Sequence, residues 1–269
     1  MKDEYLNQNF SEIESKNLEK EKKSLPNIDK SRNSNDLVLN FVKSSDDLRN
    51  SYLAKLIQNK IWTPTEKKSI HNSLIIFDWD DTLMSTSFLT PHGIFREDIK
   101  INKEDLGKIR KIDELAFSIL SISIENSDTY IITNAQKGWV EYSAEKFYPK
   151  TFSILGKIKI ISARENYEKI FPGNSRQWKI KTFLKFAEIF DKNLITNLIC
   201  LGDSHIEMDA AQYLYSKFSK AYIKTLKFKE NPNLDDLIKQ LTLIIDKFLF
   251  IISSIKNLTI RVERKLRKK

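Results

Sequence analysis

After Ser73 the chain alternates short apolar runs with longer stretches whose apolar residues return every three to four positions. The runs are Leu74 to Phe77, Thr129 to Ile132, Ile158 to Ile161, Leu198 to Leu201 and Ala221 to Leu226. Each has the length and content of a buried strand. Leu115 to Ile124 and Trp178 to Phe190 carry helical periodicity instead. Strands alternating with helices predict right-handed crossovers and a mostly parallel, three-layer α/β sheet.

The pattern changes at both ends. Residues 1 to 68 are rich in Asn, Ser, Lys, Glu and Asp, with only scattered apolar positions, and read as a mostly disordered extension that cannot offset its ordering entropy. Within it, Leu53, Leu56, Ile57 and Ile61 of Ser51 to Ile61 fall at helical spacing and predict one short surface helix. The folded domain is then placed at 69–240. In the C-terminal segment, 241–269, a helix is continued by Leu237, Leu241, Ile244, Phe248, Ile252 and Ile255 on one face. A basic tail with Arg261, Arg264, Lys265, Arg267, Lys268 and Lys269 follows. The favoured reading is a helix packed on the domain and a solvated tail; the alternative lays the tail on an anionic membrane or nucleic acid. Asp246 and Lys247 interrupt the apolar stretch, which is too short to span a bilayer.

Composition narrows the classes further. With 269 residues and 41% hydrophobic content, the chain can bury a core of ordinary domain size. Its 45 Lys+Arg against 36 Asp+Glu give a net charge of +9, a bias toward anionic partners. The single cysteine, Cys200, lies inside an apolar run, so no internal disulfide exists and a reducing compartment fits. The N-terminal MKDEYLNQNF has no apolar region of a secretory signal, which makes a cytoplasmic or nuclear location the expectation.

In parallel α/β sheets, sites form outside the carboxyl ends of the strands. The residues leaving the apolar runs are Asp78-Trp79-Asp80-Asp81-Thr82, Thr133-Asn134, Ser162-Ala163-Arg164 and Gly202-Asp203-Ser204, so acids, hydroxyls and amides converge on one edge. Two carboxylates at i and i+2 can be aimed at one centre: Asp78, nearest the sheet, suits a nucleophile and Asp80 a general acid and base. Trp79 between them points away and packs. Asp203, with Glu207 or Asp209, adds the oxygen ligands of a hard cation such as Mg²⁺. Thr133 and the Asn134 amide suit a phosphate, and Lys179 balances charge, with Lys181 and Lys185 as near alternatives. His71, His92 and His205 have no metal-ligand spacing.

Taken in order, DWDDTL after a strand, IITN after the next, an upstream lysine and ICLGDSHIEMDA resemble the four motifs of the haloacid-dehalogenase-like superfamily, over roughly Leu74 to Gln240. The resemblance implies a Rossmann-like core. It assigns Asp78 as nucleophile, Asp80 as acid/base, Thr133 as the phosphate-binding hydroxyl, Lys179 as the charge-balancing lysine, and Asp203 as a magnesium acid. An acid at the Asp80 position is typical of phosphatases and phosphotransferases. Ser204 stands where paired aspartates are common, which moves the second acid to Glu207, with Asp209 the other candidate. NAQKGWVEYSAEKFYP, SARENYEKIFPGN and KTLKFKENPNLDDLIKQL further resemble a little-characterised branch from protists and plants.

The intervals between motifs leave no room for a cap domain, and by analogy a capless core favours large phosphorylated substrates, proteins or nucleic-acid ends, over small metabolites. The expectation is thus a Mg²⁺-dependent phosphatase working through an aspartyl-phosphate. A phosphotransferase and a non-catalytic binding module are the alternatives.

Overall fold

A computed structural model describes residues 37–42, 72–90, 101–189, 195–218 and 221–264. The short helix expected at Ser51 to Ile61, together with His71 and His92, lies outside them. The fold is α/β, with one seven-stranded sheet.

Its strands are β1 (Leu37–Val42), β2 (Ser73–Phe77), β3 (Asp128–Thr133), β4 (Lys159–Ser162), β5 (Asn197–Gly202), β6 (Tyr222–Lys227) and β7 (Leu258–Arg264). The order across the sheet is β1-β7-β6-β5-β2-β3-β4. Every neighbouring pair is parallel except β1 with β7. Chain order therefore runs outward from β2 toward β4, then restarts at β5 and runs the other way. That reversal places the topological switch point between β2 and β5, where a crevice opens at the carboxyl ends.

Helices cover both faces. They are α1 (Thr86–Leu89), α2 (Lys103–Asn126), α3 (Trp139–Phe147), α4 (Pro149–Leu155), α5 (Ala163–Tyr167), α6 (Ser175–Ile189), α7 (His205–Tyr215) and α8 (Leu234–Ser253). Period-two alternation splits β2 between two cores. Ile75 and Phe77 join Ile112, Ile119, Leu241 and Phe248 from α2 and α8. Leu74 and Ile76 join Ile180, Phe183 and Leu214 from α6 and α7. Because β2 and β5 are buried along their whole length, their polar ends are held by a rigid support.

Both flanks depart from the sequence expectation. Leu37–Val42, inside the segment expected to be disordered, forms the antiparallel edge strand β1. Leu258–Arg264, expected as helix and basic tail, forms β7 between β6 and β1. The cause is visible in LTIRVER, where Leu258, Ile260 and Val262 alternate with polar residues and are buried. α8 starts at Leu234 and ends at Ser253, so Ile255 is outside the helix and exposed. No described helix is long and apolar enough to cross a membrane.

Candidate active site

Asp78 leaves β2 at the switch point, its amide donating to the Leu201 carbonyl of β5 at 2.9 Å. The chain then turns sharply. The amides of Leu83 and Met84 both return to the Trp79 carbonyl, and Asp81 adopts a left-handed φ of 55°. Ser87 supports that strained residue with its amide (2.8 Å) and its hydroxyl, both donating to the Asp81 carboxylate. Trp79 points into the core, its Nε1 donating to Ser143 Oγ at 3.0 Å. Asp78 and Asp80 are left on the crevice side.

The centre of the site is a buried charge cluster. Lys179, on α6, is 1% exposed and donates to Asp78 Oδ1 at 2.5 Å and to Glu207 Oε1 at 2.8 Å. Lys181 and Lys185 on the same helix are exposed. Burial alone would strip the proton from Lys179, but the two carboxylates overturn this and hold its ammonium above the ordinary range. Glu207 is likewise opposed by burial, yet Lys179 and Ser204 keep it below the usual carboxylate range.

Glu207, expected as a metal ligand, spends its oxygens elsewhere. Its second oxygen accepts from the Ser204 amide at 3.0 Å and the Ser204 hydroxyl at 2.5 Å, closing a capping box at the start of α7. Asp209, the other candidate, pairs with Arg176 at 2.8 Å on the surface. Gly202 makes room for Glu207: a Cβ there would come within 2.5 Å of the Glu207 Cγ.

Asp80 sits apart from this cluster and is oriented by three donors. Thr86 Oγ1 (2.7 Å) and Trp139 Nε1 (2.8 Å) reach its Oδ1, and Thr133 Oγ1 (3.0 Å) reaches its Oδ2. Thr133 also accepts from the Ala135 amide at 2.9 Å, so its hydroxyl lies at the crevice edge beside Asn134. Thr86 and Trp139 were not among the residues singled out from the sequence. The one signal for Trp139 is its place directly after Gly138, whose φ of 84° turns the chain into α3.

Asp203 follows β5, and its main-chain carbonyl accepts from Lys227 Nζ at 2.7 Å. Burial and the neighbouring Glu207 and Asp81 carboxylates push its carboxyl up to about 7. Burial also raises Asp78 well above its ordinary value, with Glu207, Asp203 and Asp80 acting in the same direction against Lys179. Acid charge thus exceeds the single buried lysine. Were a hard divalent cation to bind there, the Asp78 and Asp203 carboxylates and the Asp80 carbonyl would be the oxygen donors on offer. Among the described residues, no group of three or more His, Cys, Asp or Glu side chains is placed to hold a metal ion.

Comparison with family models, curated proteins and solved structures gave no match to this chain.

Proposed function

We propose that the protein is a Mg²⁺-dependent phosphatase of the haloacid-dehalogenase type, with a minimal cap, that hydrolyses a phosphomonoester through an aspartyl-phosphate on Asp78. The observation that carries this reading is the buried Lys179, clamped between Asp78 and Glu207 at the switch point with Asp203 beside them. A structural ion pair has no need of surplus carboxylates at an open strand edge. A phosphate-handling centre does.

In this reading, Lys179 holds Oδ1 of Asp78 and fixes the carboxylate so that Oδ2 faces the substrate. An Oδ2 lone pair attacks phosphorus in line. The bond from phosphorus to the leaving oxygen breaks, and that oxygen takes a proton from Asp80 acting as general acid. Water then attacks the aspartyl-phosphate and gives its proton to Asp80, releasing phosphate and restoring the Asp78 carboxylate. Thr133, the Asn134 amide and Lys179 bind phosphoryl oxygens as charge develops. Mg²⁺, when bound, would be held by Asp78, Asp203 and the Asp80 carbonyl and would supply the remaining charge neutralisation. The described chain between β2 and β4 is taken up by α1 to α4 and β3, which supports an uncapped crevice open to large substrates.

The test is phosphate release from a panel of phosphomonoesters, comparing the full chain with Asp78→Asn. Release that requires Mg²⁺ and is lost in the variant supports the reading. A folded, Mg²⁺-loaded protein that releases nothing, or an active Asp78→Asn, removes it.

A further inference from the structure

Asp80 also lines an open groove of ≈ 610 Å³ that Lys179 does not line. Asp80, Thr86, Asn134, Lys137, Trp139 and Tyr142 are among its lining residues. If Asp80 protonates the leaving oxygen, this groove is where the leaving group sits. Its contents then describe that group.

Two features stand out. Trp139 and Tyr142 form an aromatic wall, with ring centroids 6.3 Å apart, and Tyr142 is 44% exposed. The indole N–H bond to Asp80 lies in the plane of the ring, so Trp139 meets Asp80 with its edge. A ring bonded directly to the leaving oxygen would face that edge; a ring held one sugar further out reaches the wall itself. Two cations, Lys137 and Arg164, line the groove, and the Lys146 ammonium lies over the Tyr142 ring, 5.9 Å from its centroid. Aromatic rings interleaved with cations are what single-stranded nucleic acid and nucleotides require, bases stacking while phosphates are neutralised. The volume is ample for a nucleoside.

We infer that this groove is a leaving-group subsite for a nucleobase, so that the substrate is a nucleotide or the phosphorylated end of an oligonucleotide. The inference rests on the phosphatase reading for its orientation. The sugar spans the distance from Asp80 to the aromatic wall, the base packs against Trp139 and Tyr142, and a following phosphate meets Lys137.

The experiment uses the full chain with Mg²⁺ and compares kcat/KM for ribose 5-phosphate, AMP, 5′- and 3′-phosphorylated oligothymidylate, a phosphotyrosine peptide and acetyl phosphate. Base-bearing substrates are expected to exceed ribose 5-phosphate by about tenfold or more, the scale of one stacked base. Tyr142→Ala is expected to erase most of that ratio. AMP as the best substrate identifies a free nucleotide, and the oligonucleotides as the best identify a strand end. Equal turnover of ribose 5-phosphate and AMP, a ratio untouched by Tyr142→Ala, or a dominant phosphotyrosine peptide overturns the subsite. Anisotropy of a fluorescent 5′-phosphorylated oligothymidylate on Asp78→Asn separates the two claims. Tyr142-dependent binding without turnover of any substrate keeps the subsite and removes the phosphatase, whereas acetyl phosphate turnover without base preference does the reverse.

Discussion

Lys179 shows what the site costs the fold. A buried cation between two carboxylates is held by partners that each lose hydration, and removing one member of such a group is strongly destabilising because it leaves uncompensated charge. Lys179→Met is therefore expected to lose about 3–5 kcal/mol in denaturant unfolding, with phosphate release abolished as well. A double variant, Lys179→Met with Glu207→Gln, should lose less than the sum of the two single changes, because both act on one cluster. Additive losses would mean that the pair is not coupled. Gly202 gives a second test, since its Cβ would collide with Glu207. Gly202→Ala should cost about 1–3 kcal/mol through overpacking and lower activity by displacing the group that positions Lys179; unchanged melting and turnover would show that Glu207 can move freely. The strand-end rule points to Asp78, Asp80, Thr133 and Asp203 because each lies within three residues of the end of an apolar run. It could not point to Thr86 or Trp139, which reach Asp80 only because the turn at 79–84 and the bend at Gly138 bring loops together. Nor could it show that Glu207 would be consumed by Ser204 and Lys179, since a capping box and a metal ligand look alike in one dimension.

At the scale of elements, the central sheet was legible and its far edge was not. β2, β3 and β5 are mostly apolar runs bounded by polar turns, whereas β7 is amphipathic, and its arginines read as a solvated tail. Period two was present in Leu258, Ile260 and Val262, but charge obscured it. β1 carries Asn40 in its middle and sits within strongly polar sequence. The difference between strand and tail is measurable. Ile260 is fully buried, so Ile260→Ala should lose about 2–5 kcal/mol as a core truncation. Arg261 is exposed on the same strand, and Arg261→Ala should stay within about 0.5 kcal/mol. A solvated tail would leave both variants at wild-type stability. The same assignment turns the apolar face of α8 inward, with Leu237, Leu241, Ile244 and Phe248 in the core, so that face has no surface left for lipid.

Across the whole molecule, the half-buried Asp203 and the buried Lys224 shape how stability responds to pH around neutrality. Asp203, at the crevice, has its carboxyl raised from 3.8 to about 7 by burial and neighbouring acids. A raised carboxyl pKa means that the folded state holds the proton more tightly than the unfolded one, so this contribution is full below about pH 4 and is lost as pH climbs through 7. Asp78 acts in the same sense. Lys224, on β6 at the opposite end of the sheet, is lowered from 10.5 to about 7 by burial. Its Nζ donates to the Ile252 carbonyl at 2.9 Å, which Asn197 Nδ2 shares at 3.0 Å. Here the folded state binds the proton less tightly, so the penalty is full below pH 7 and is relieved as pH rises toward 10.5. The depressed Glu207 acts in a more acidic window and does not enter the neutral range. The two limbs therefore meet near pH 7, where the metal-free chain should be less stable than at pH 5 or pH 9.5. Urea titrations at these three values, in chelator, measure this directly. Asp203→Asn should flatten the acid limb. Lys224→Met should flatten the alkaline limb and raise stability at pH 7, because the buried amine no longer has to lose its proton or bury its charge. On the phosphatase reading, Mg²⁺ should fill the dip at pH 7 far more than it changes pH 5, since it binds the deprotonated carboxylates. Stability that climbs steadily from pH 5 to 9.5 without a minimum would mean that the crevice carboxylates are better solvated than their burial implies, and would remove the charge imbalance on which a cation site depends.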